Sequence, residues 1–462
     1  MAEFMTRRDF GMSAGGWAIA TRLFAAGEDA PWAGPATVKK VFLAVPQPTW
    51  PRPDLDVAKE KADLEATLAA AERKNAAMVR FTGGDLVRTP EDAERFVAGL
   101  GDADGVLIVD LTSGTGGMLR PLRDLPVPVL LYSRPYSGWS YPEVVAWVQS
   151  GKRADLIVTS EPADLDPYLK MFRAIHHLRK SKVLVVSSGG ARSRTAEEFT
   201  KQFGTTFAFP SYADLKAAFD TADAKAAEKE AAEFTRAALK VVEPSSKDVN
   251  DSMRLYHGIL AILKREKANA MTIDCLGGFK RGDLPAYPCL AWTKLNDQGL
   301  YGVCEADVAS TMTQLLLTSY TAKPGFVTDP VFDTGRGEII HAHCVAATAM
   351  AGFDARRSPY AIRSHMEDNK GVSIQVMMPA KGTVTVGKFL NPALFGISTG
   401  EVLGNVDNPR GCRTKIRTKV ADARKMLENY TGGLHRVVYY GDYVKDVERM
   451  GRLMGFKVNR EC

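Results

Sequence analysis

The chain has 462 residues, more than one hydrophobic core usually organises, so two or three α/β-sized units are expected. Its 45% hydrophobic and 25% charged content matches soluble globular proteins and argues against disordered, collagen-like and membrane-spanning classes. A net charge of +6 from 60 basic and 54 acidic residues, with no basic block interleaved with aromatics, argues against nucleic acid as a partner.

Residues 1–35 read as a leader. Thr6-Arg7-Arg8-Asp9-Phe10 is a twin-arginine pattern, followed by a weakly apolar, Gly/Ala-rich run over residues 10–20 and small residues at Ala25-Ala26. The pattern predicts Tat export to the periplasm; the plainer alternative is an N-terminal helix of a cytoplasmic protein. The run is shorter than the ~20 apolar residues of a membrane span.

Residues 36–168 alternate short apolar runs (41–45, 78–81, 106–110, 127–132) with helical stretches near 56–74 and 91–100. Such alternation predicts a parallel sheet with crossover helices, a Rossmann-like unit. Residues 169–328 predict a second α/β unit, opening with the run 182–187 and containing one long Ala/Lys/Glu-rich helix over 212–241. From residue 329 to 462 the apolar period becomes two, as in 371–377 and 382–389, which predicts antiparallel strands and a β-barrel-like unit.

The six cysteines (275, 289, 304, 344, 412 and 462) include no CxxC pair, so buried thiols are expected rather than a zinc knuckle or a disulfide framework. Ser188-Gly189-Gly190-Ala191-Arg192 follows a strand and is either an anion cradle or an ordinary turn. No G-x-S-x-G elbow supports a serine nucleophile.

Cys304-Glu305-Ala306-Asp307 lies between an apolar run and the helix that begins at Val308. An acidic residue there can cap the helix by accepting from its free N–H groups. Asp307 suits the cap better, which leaves Glu305 without a structural reason. Asp329 is expected at the end of a second short strand, just before Pro330. Four of the seven histidines, 341, 343, 365 and 435, follow residue 330, and His435 is placed by the Gly432-Gly433 turn before a β-run. Two carboxylates and an imidazole with open positions favour Mn²⁺ or Mg²⁺, Mn²⁺ first, over Fe²⁺, Co²⁺ and Zn²⁺.

The stretch from Pro288 to Asp307, PCLAWTKLNDQGLYGVCEAD, resembles the region of L-fucose and L-arabinose isomerases where a Leu-Ala segment leads through a glycine turn to an acidic E-x-D element. Phe326-Val327-Thr328-Asp329 resembles their aspartate-ending strand, and Gly432-Gly433-Leu434-His435 their C-terminal ligand motif. The resemblance spans about residues 270–450 and implies Glu305, Asp329 and His435 as metal ligands, with Glu305 and Asp329 also moving protons. It implies His343 and His365 as substrate contacts, a free carbohydrate as substrate, and a homo-oligomer. The implied reaction is aldose–ketose isomerisation through an enediol. The alternative expectations are a metal-dependent lyase, epimerase or hydrolase of an oxidised or unusual sugar in the periplasm, and a non-catalytic sugar-binding protein.

Overall fold

The computed structural model describes residues 30–189 and 193–462. The twin-arginine segment, and Gly190, Ala191 and Arg192 of the candidate anion turn, lie outside them.

The first unit runs β1 (Ala36–Leu43), α1 (Val57–Lys74), β2 (Val79–Val87), α2 (Pro90–Ala98), β3 (Gly105–Asp110), α3 (Gly116–Leu119), β4 (Val129–Ser133), α4 (Tyr141–Gln149) and β5 (Ala154–Val158). Its five strands pair in the order β2-β1-β3-β4-β5, all parallel. β3 and β4 are buried at every position, because helices cover both faces of the sheet. One face has its own core around Phe96, Met118, Leu131 and Trp147. The other face carries α1 and α5 (Asp166–Lys180) and merges with a core that continues through the rest of the molecule.

Helix α5 also holds the chain ahead of β1. Arg173 donates to the carbonyl of Ala33 at 3.2 Å, while His176 Nε2 and His177 Nδ1 meet the carbonyls of Pro31 and Trp32 at 3.1 and 3.2 Å. The packed body therefore includes Pro31 to Ala33, inside the stretch read as leader.

The second unit comprises β6 (Lys182–Val186), α6 (Arg194–Phe203), β7 (Thr206–Ala208), α7 (Tyr212–Thr221), α8 (Ala224–Ala237), α9 (Ser246–Arg265), β8 (Ala270–Ile273), α10 (Cys275–Arg281), α11 (Cys289–Asp297), β9 (Tyr301–Cys304) and α12 (Val308–Thr321). Its strands form a parallel sheet in the order β7-β6-β8-β9. The single helix expected over 212–241 is instead two. Ala222 is extended, and the Asp223 carboxylate accepts from the backbone of Lys225 and Ala226, both at 3.0 Å, starting α8 afresh. Helix propensity favours continuity through this Ala-rich run, and a local capping bond overrides it.

The third unit contains β10 (Phe326–Asp333), β11 (Glu338–His343), β12 (Tyr360–Arg363), β13 (Ser373–Val376), β14 (Thr383–Asn391), β15 (Leu394–Asn405), β16 (Thr414–Val420), α13 (Ala423–Glu428), β17 (Arg436–Tyr440), α14 (Val444–Met454) and β18 (Lys457–Arg460). Six strands in the order β14-β17-β10-β11-β16-β15 are antiparallel, and the β14–β15 pairing closes them into a barrel. β18 adds in parallel to β15. The barrel starts at Phe326, so β10 crosses the boundary expected at 328/329. The alternating residues near 371–377 form the separate β12–β13 hairpin rather than a barrel strand.

Helix α12 joins the middle sheet to the barrel and is buried almost throughout. Thr313 Oγ1 accepts from the backbone of Phe389 at 2.9 Å, Gln314 donates to the carbonyl of Gly325 at 3.2 Å, and the hydroxyls of Thr318 and Tyr439 meet at 3.0 Å. Among the described residues, no helix is long and apolar enough to cross a membrane.

Candidate metal centre

Hydrogen bonding sorts the histidines. His176 binds Asp104 at 2.8 Å, His177 meets the Tyr301 hydroxyl at 2.9 Å, His257 binds Glu230 at 2.7 Å, and His341 meets Thr418 Oγ1 at 2.9 Å inside the barrel. These four have structural partners. Those that remain are His343, His365 and His435.

The barrel register brings two of the remaining histidines to Asp329. The β10–β17 ladder pairs Thr328 with Arg436, so the next rung sets Asp329 against His435. The β10–β11 ladder pairs Asp329 with Ala342, next to His343. Asp329 lies inside β10, not at its end as expected, because the strand runs on through Pro330.

Glu305 arrives from the middle unit. β9 ends at Cys304, and Glu305 and Ala306 then take left-handed backbone angles, φ 65° and 50°. For non-glycine residues each costs roughly 1–2 kcal/mol. The turn is held by Ala306 N–H donating to Ile273 O at 3.0 Å, and it aims the Glu305 side chain toward the barrel strands.

His435 Nε2 lies 3.4 Å from Glu305 Oε2 and 3.4 Å from Asp329 Oδ1, and His343 Nε2 is 3.8 Å from Glu305 Oε1. Glu305, His343 and His435 each offer a ligand atom within 4.8 Å of the others, a cluster that could hold a metal ion. The imidazoles are buried, with 5% side-chain exposure each, whereas Glu305 and Asp329 keep 35% and 28%. The acidic side is thus the side open to solvent. Asp329 Oδ1, His343 Nε2 and His435 Nε2 are buried with no hydrogen-bond partner. Buried polar atoms are nearly always satisfied, so the orphaned nitrogens of His343 and His435 beside Glu305 fit a shared ligand, with Asp329 next to His435 but outside that cluster; carboxylate with imidazole is a donor set that hard divalent cations accept.

Asp307 does more than the capping expected of it. Its Oδ1 accepts from Ser310 N–H at 2.9 Å, capping α12, while Oδ2 accepts from His435 Nδ1 at 2.9 Å and from Lys388 Nζ at 2.6 Å. A carboxylate on Nδ1 leaves the Nε2 lone pair free to bind a cation and orients the ring. No sequence signal announces this, because a capping aspartate looks the same whether or not its second oxygen is used.

The charges follow from these contacts. Burial raises Glu305 above the ordinary carboxylate range, and Asp329, Asp307 and Glu367 add to the rise against the opposing pull of His435. Asp329 is raised by burial and by Glu367. Burial would also raise Asp307, but His435 and Lys388 together hold it well below the usual range. His435 is raised, because Asp307, Glu305 and Asp329 outweigh the burial that would lower it. His343 is pushed down to about 3 by burial and by its two histidine neighbours.

His365 stays outside the cluster. Its ring sits against Phe279 and Tyr287 at 5.5 and 5.4 Å, and its Nδ1 is 3.9 Å from Asp368. Of the six cysteines, 275, 289, 304 and 344 are buried and 412 and 462 half-buried, all as free thiols. A scan against protein-family models and a search of curated proteins find no match to this chain.

Proposed function

We propose that the chain is a divalent-metal-dependent sugar isomerase interconverting aldose and ketose, with Mn²⁺ held by Glu305, Asp329 and His435. One observation carries the reading: His435 Nε2 is buried and unpartnered, faces two carboxylate oxygens at 3.4 Å, and has its other nitrogen held by Asp307. The resemblance of residues 288–307, 326–329 and 432–435 to the fucose and arabinose isomerases supports it from the sequence side.

When bound, the cation would supply Lewis-acid polarisation of a sugar carbonyl. Glu305 turns Oε2 to His435 and Oε1 to His343, so one oxygen can serve the cation while the other takes up a proton. Its pKa is raised, the direction that makes a carboxylate a stronger base. Asp329, also raised, stands on barrel strand β10 and would deliver a proton of its own to the second carbon, the proton on Glu305 passing to solvent to reset the pair.

His343 fits substrate better than metal, although its Nε2 lies in the same cluster. Its Nδ1 accepts from Cys344 N–H at 2.9 Å, so the neutral ring carries its proton on Nε2 and donates from there. That donor would meet a sugar oxygen.

Incubating free aldoses, ketoses and 3-keto sugars in D₂O with Mn²⁺, read by NMR, tests the reading. Deuterium should enter a carbon-bound position of at least one sugar with the unsubstituted chain and not with Glu305→Gln. Absence of deuterium in every sugar, with Mn²⁺ bound, would defeat it.

A further inference from the structure

The loop that carries His435 is built around a buried guanidinium. Arg436 has no exposed side-chain surface and stacks on Tyr430, 3.8 Å from the ring centroid. It donates to the carbonyls of Thr431, Gly433 and His435 at 2.8, 3.2 and 2.9 Å. Its remaining two bonds go to Glu461, Nε to Oε2 at 3.1 Å and an Nη to Oε1 at 2.5 Å. The five N–H donors are thereby used, and the loop backbone is wrapped on the cation through the left-handed Gly432 and Gly433. Among the described residues, the only carboxylate bonded to this cation is Glu461. Glu461 follows β18, is itself fully buried, and has its backbone N–H on Ile397 O at 2.9 Å. Its carboxylate sits in a seat that Gly396 leaves open, since a Cβ there would lie 2.9 Å from Oε1.

We infer that Glu461 is a positioning residue for His435: by neutralising Arg436 it holds the 431–435 loop in the shape that presents His435 Nε2 to Glu305 and Asp329. A buried cation stripped of its counter-charge seeks water or another anion, and the loop carbonyls it holds move with it. The inference rests on the metal-centre reading for its consequence, and on the Arg436 geometry alone for its mechanism.

Titration calorimetry with Mn²⁺ and hydrogen exchange of the 431–435 amides in the metal-free full-length chain test it together. Glu461→Gln should speed exchange in that loop and weaken Mn²⁺ binding tenfold or more, the range typical of groups that orient a ligand. Glu448→Gln, which breaks the partly exposed pair between Glu448 of α14 and Arg460 of β18, next to Glu461, should change neither readout. Gly396→Ala crowds the carboxylate without removing its charge, should act in the same direction, and replaces the Gln variant if that one fails to fold. Unsubstituted affinity and exchange in these variants overturn the assignment. If the unsubstituted chain binds no Mn²⁺, the metal reading fails separately and exchange alone decides: unchanged rates overturn the positioning role, and acceleration confined to 431–435 supports it.

Discussion

His435 donates its Nδ1–H to Asp307 Oδ2 at 2.9 Å, and the same aspartate caps the helix that follows Glu305. One carboxylate thus ties the ring of a barrel histidine to the backbone of the middle unit. Asp307→Asn keeps an oxygen for the cap and removes the charge. Mn²⁺ affinity by calorimetry should fall about 10–100-fold. Lys388, 4% exposed and then without its counter-charge, should cost stability of roughly 3 kcal/mol, read as a lower chemical-denaturation midpoint. Unchanged affinity would reduce Asp307 to a capping residue.

Glu305 occupies a backbone position that glycine adopts freely. Glu305→Gly should make the metal-free protein about 1 kcal/mol more stable while abolishing any Mn²⁺-dependent rise in melting temperature. A destabilised variant would mean that the side chain is structural, and a retained metal shift would remove it from the ligand set.

Asp110, at the end of β3, is buried and pushed up to about 6 by burial, against the pull of hydrogen bonds from Ser140 and Thr115. Its ordinary value is 3.8, so between 3.8 and 6 the native state holds a proton that the unfolded state releases. Stability therefore falls as pH rises through that window and stays lower above it, by roughly 3 kcal/mol. Asp110→Asn should flatten that decline, its amide donating to Thr115 Oγ1 and its oxygen accepting from Ser140 N–H. Urea unfolding at pH 4 and pH 7 compares the two proteins; parallel slopes would refute the assignment.

Gly302 lies in β9, three residues before Glu305, and a Cβ there would come within 2.3 Å of Trp292 Cε3 and 2.8 Å of its Cα. The backbone atom cannot swing aside. Gly302→Ala should cost about 1–3 kcal/mol or more and shift the fluorescence of buried Trp292, both measured by thermal and emission scans.

The parallel sheets and the β-rich end were legible because burial on both faces writes continuous apolar runs and burial on one face writes alternation. Glu305 was legible by elimination, since Asp307 already explained the cap, and His435 by its glycine turn. The barrel's closure was not legible: β14 meets β15 through a hairpin, but β17 reaches β10 across more than a hundred residues, and no local pattern encodes that pairing. Nor was the break at Asp223, which one side-chain bond decides. The second role of Asp307 needs both units assembled, so it has no trace in the spacing of residues.

Asp329, His343 and His435 ride on three adjoining strands of a closed barrel, so they keep their mutual spacing for as long as the barrel stays folded. Glu305 alone reaches them from another body, across the seam sealed by α12. A slight parting of the two units would therefore carry the Glu305 carboxylate away from His343 and His435, while the barrel keeps the other three groups in register.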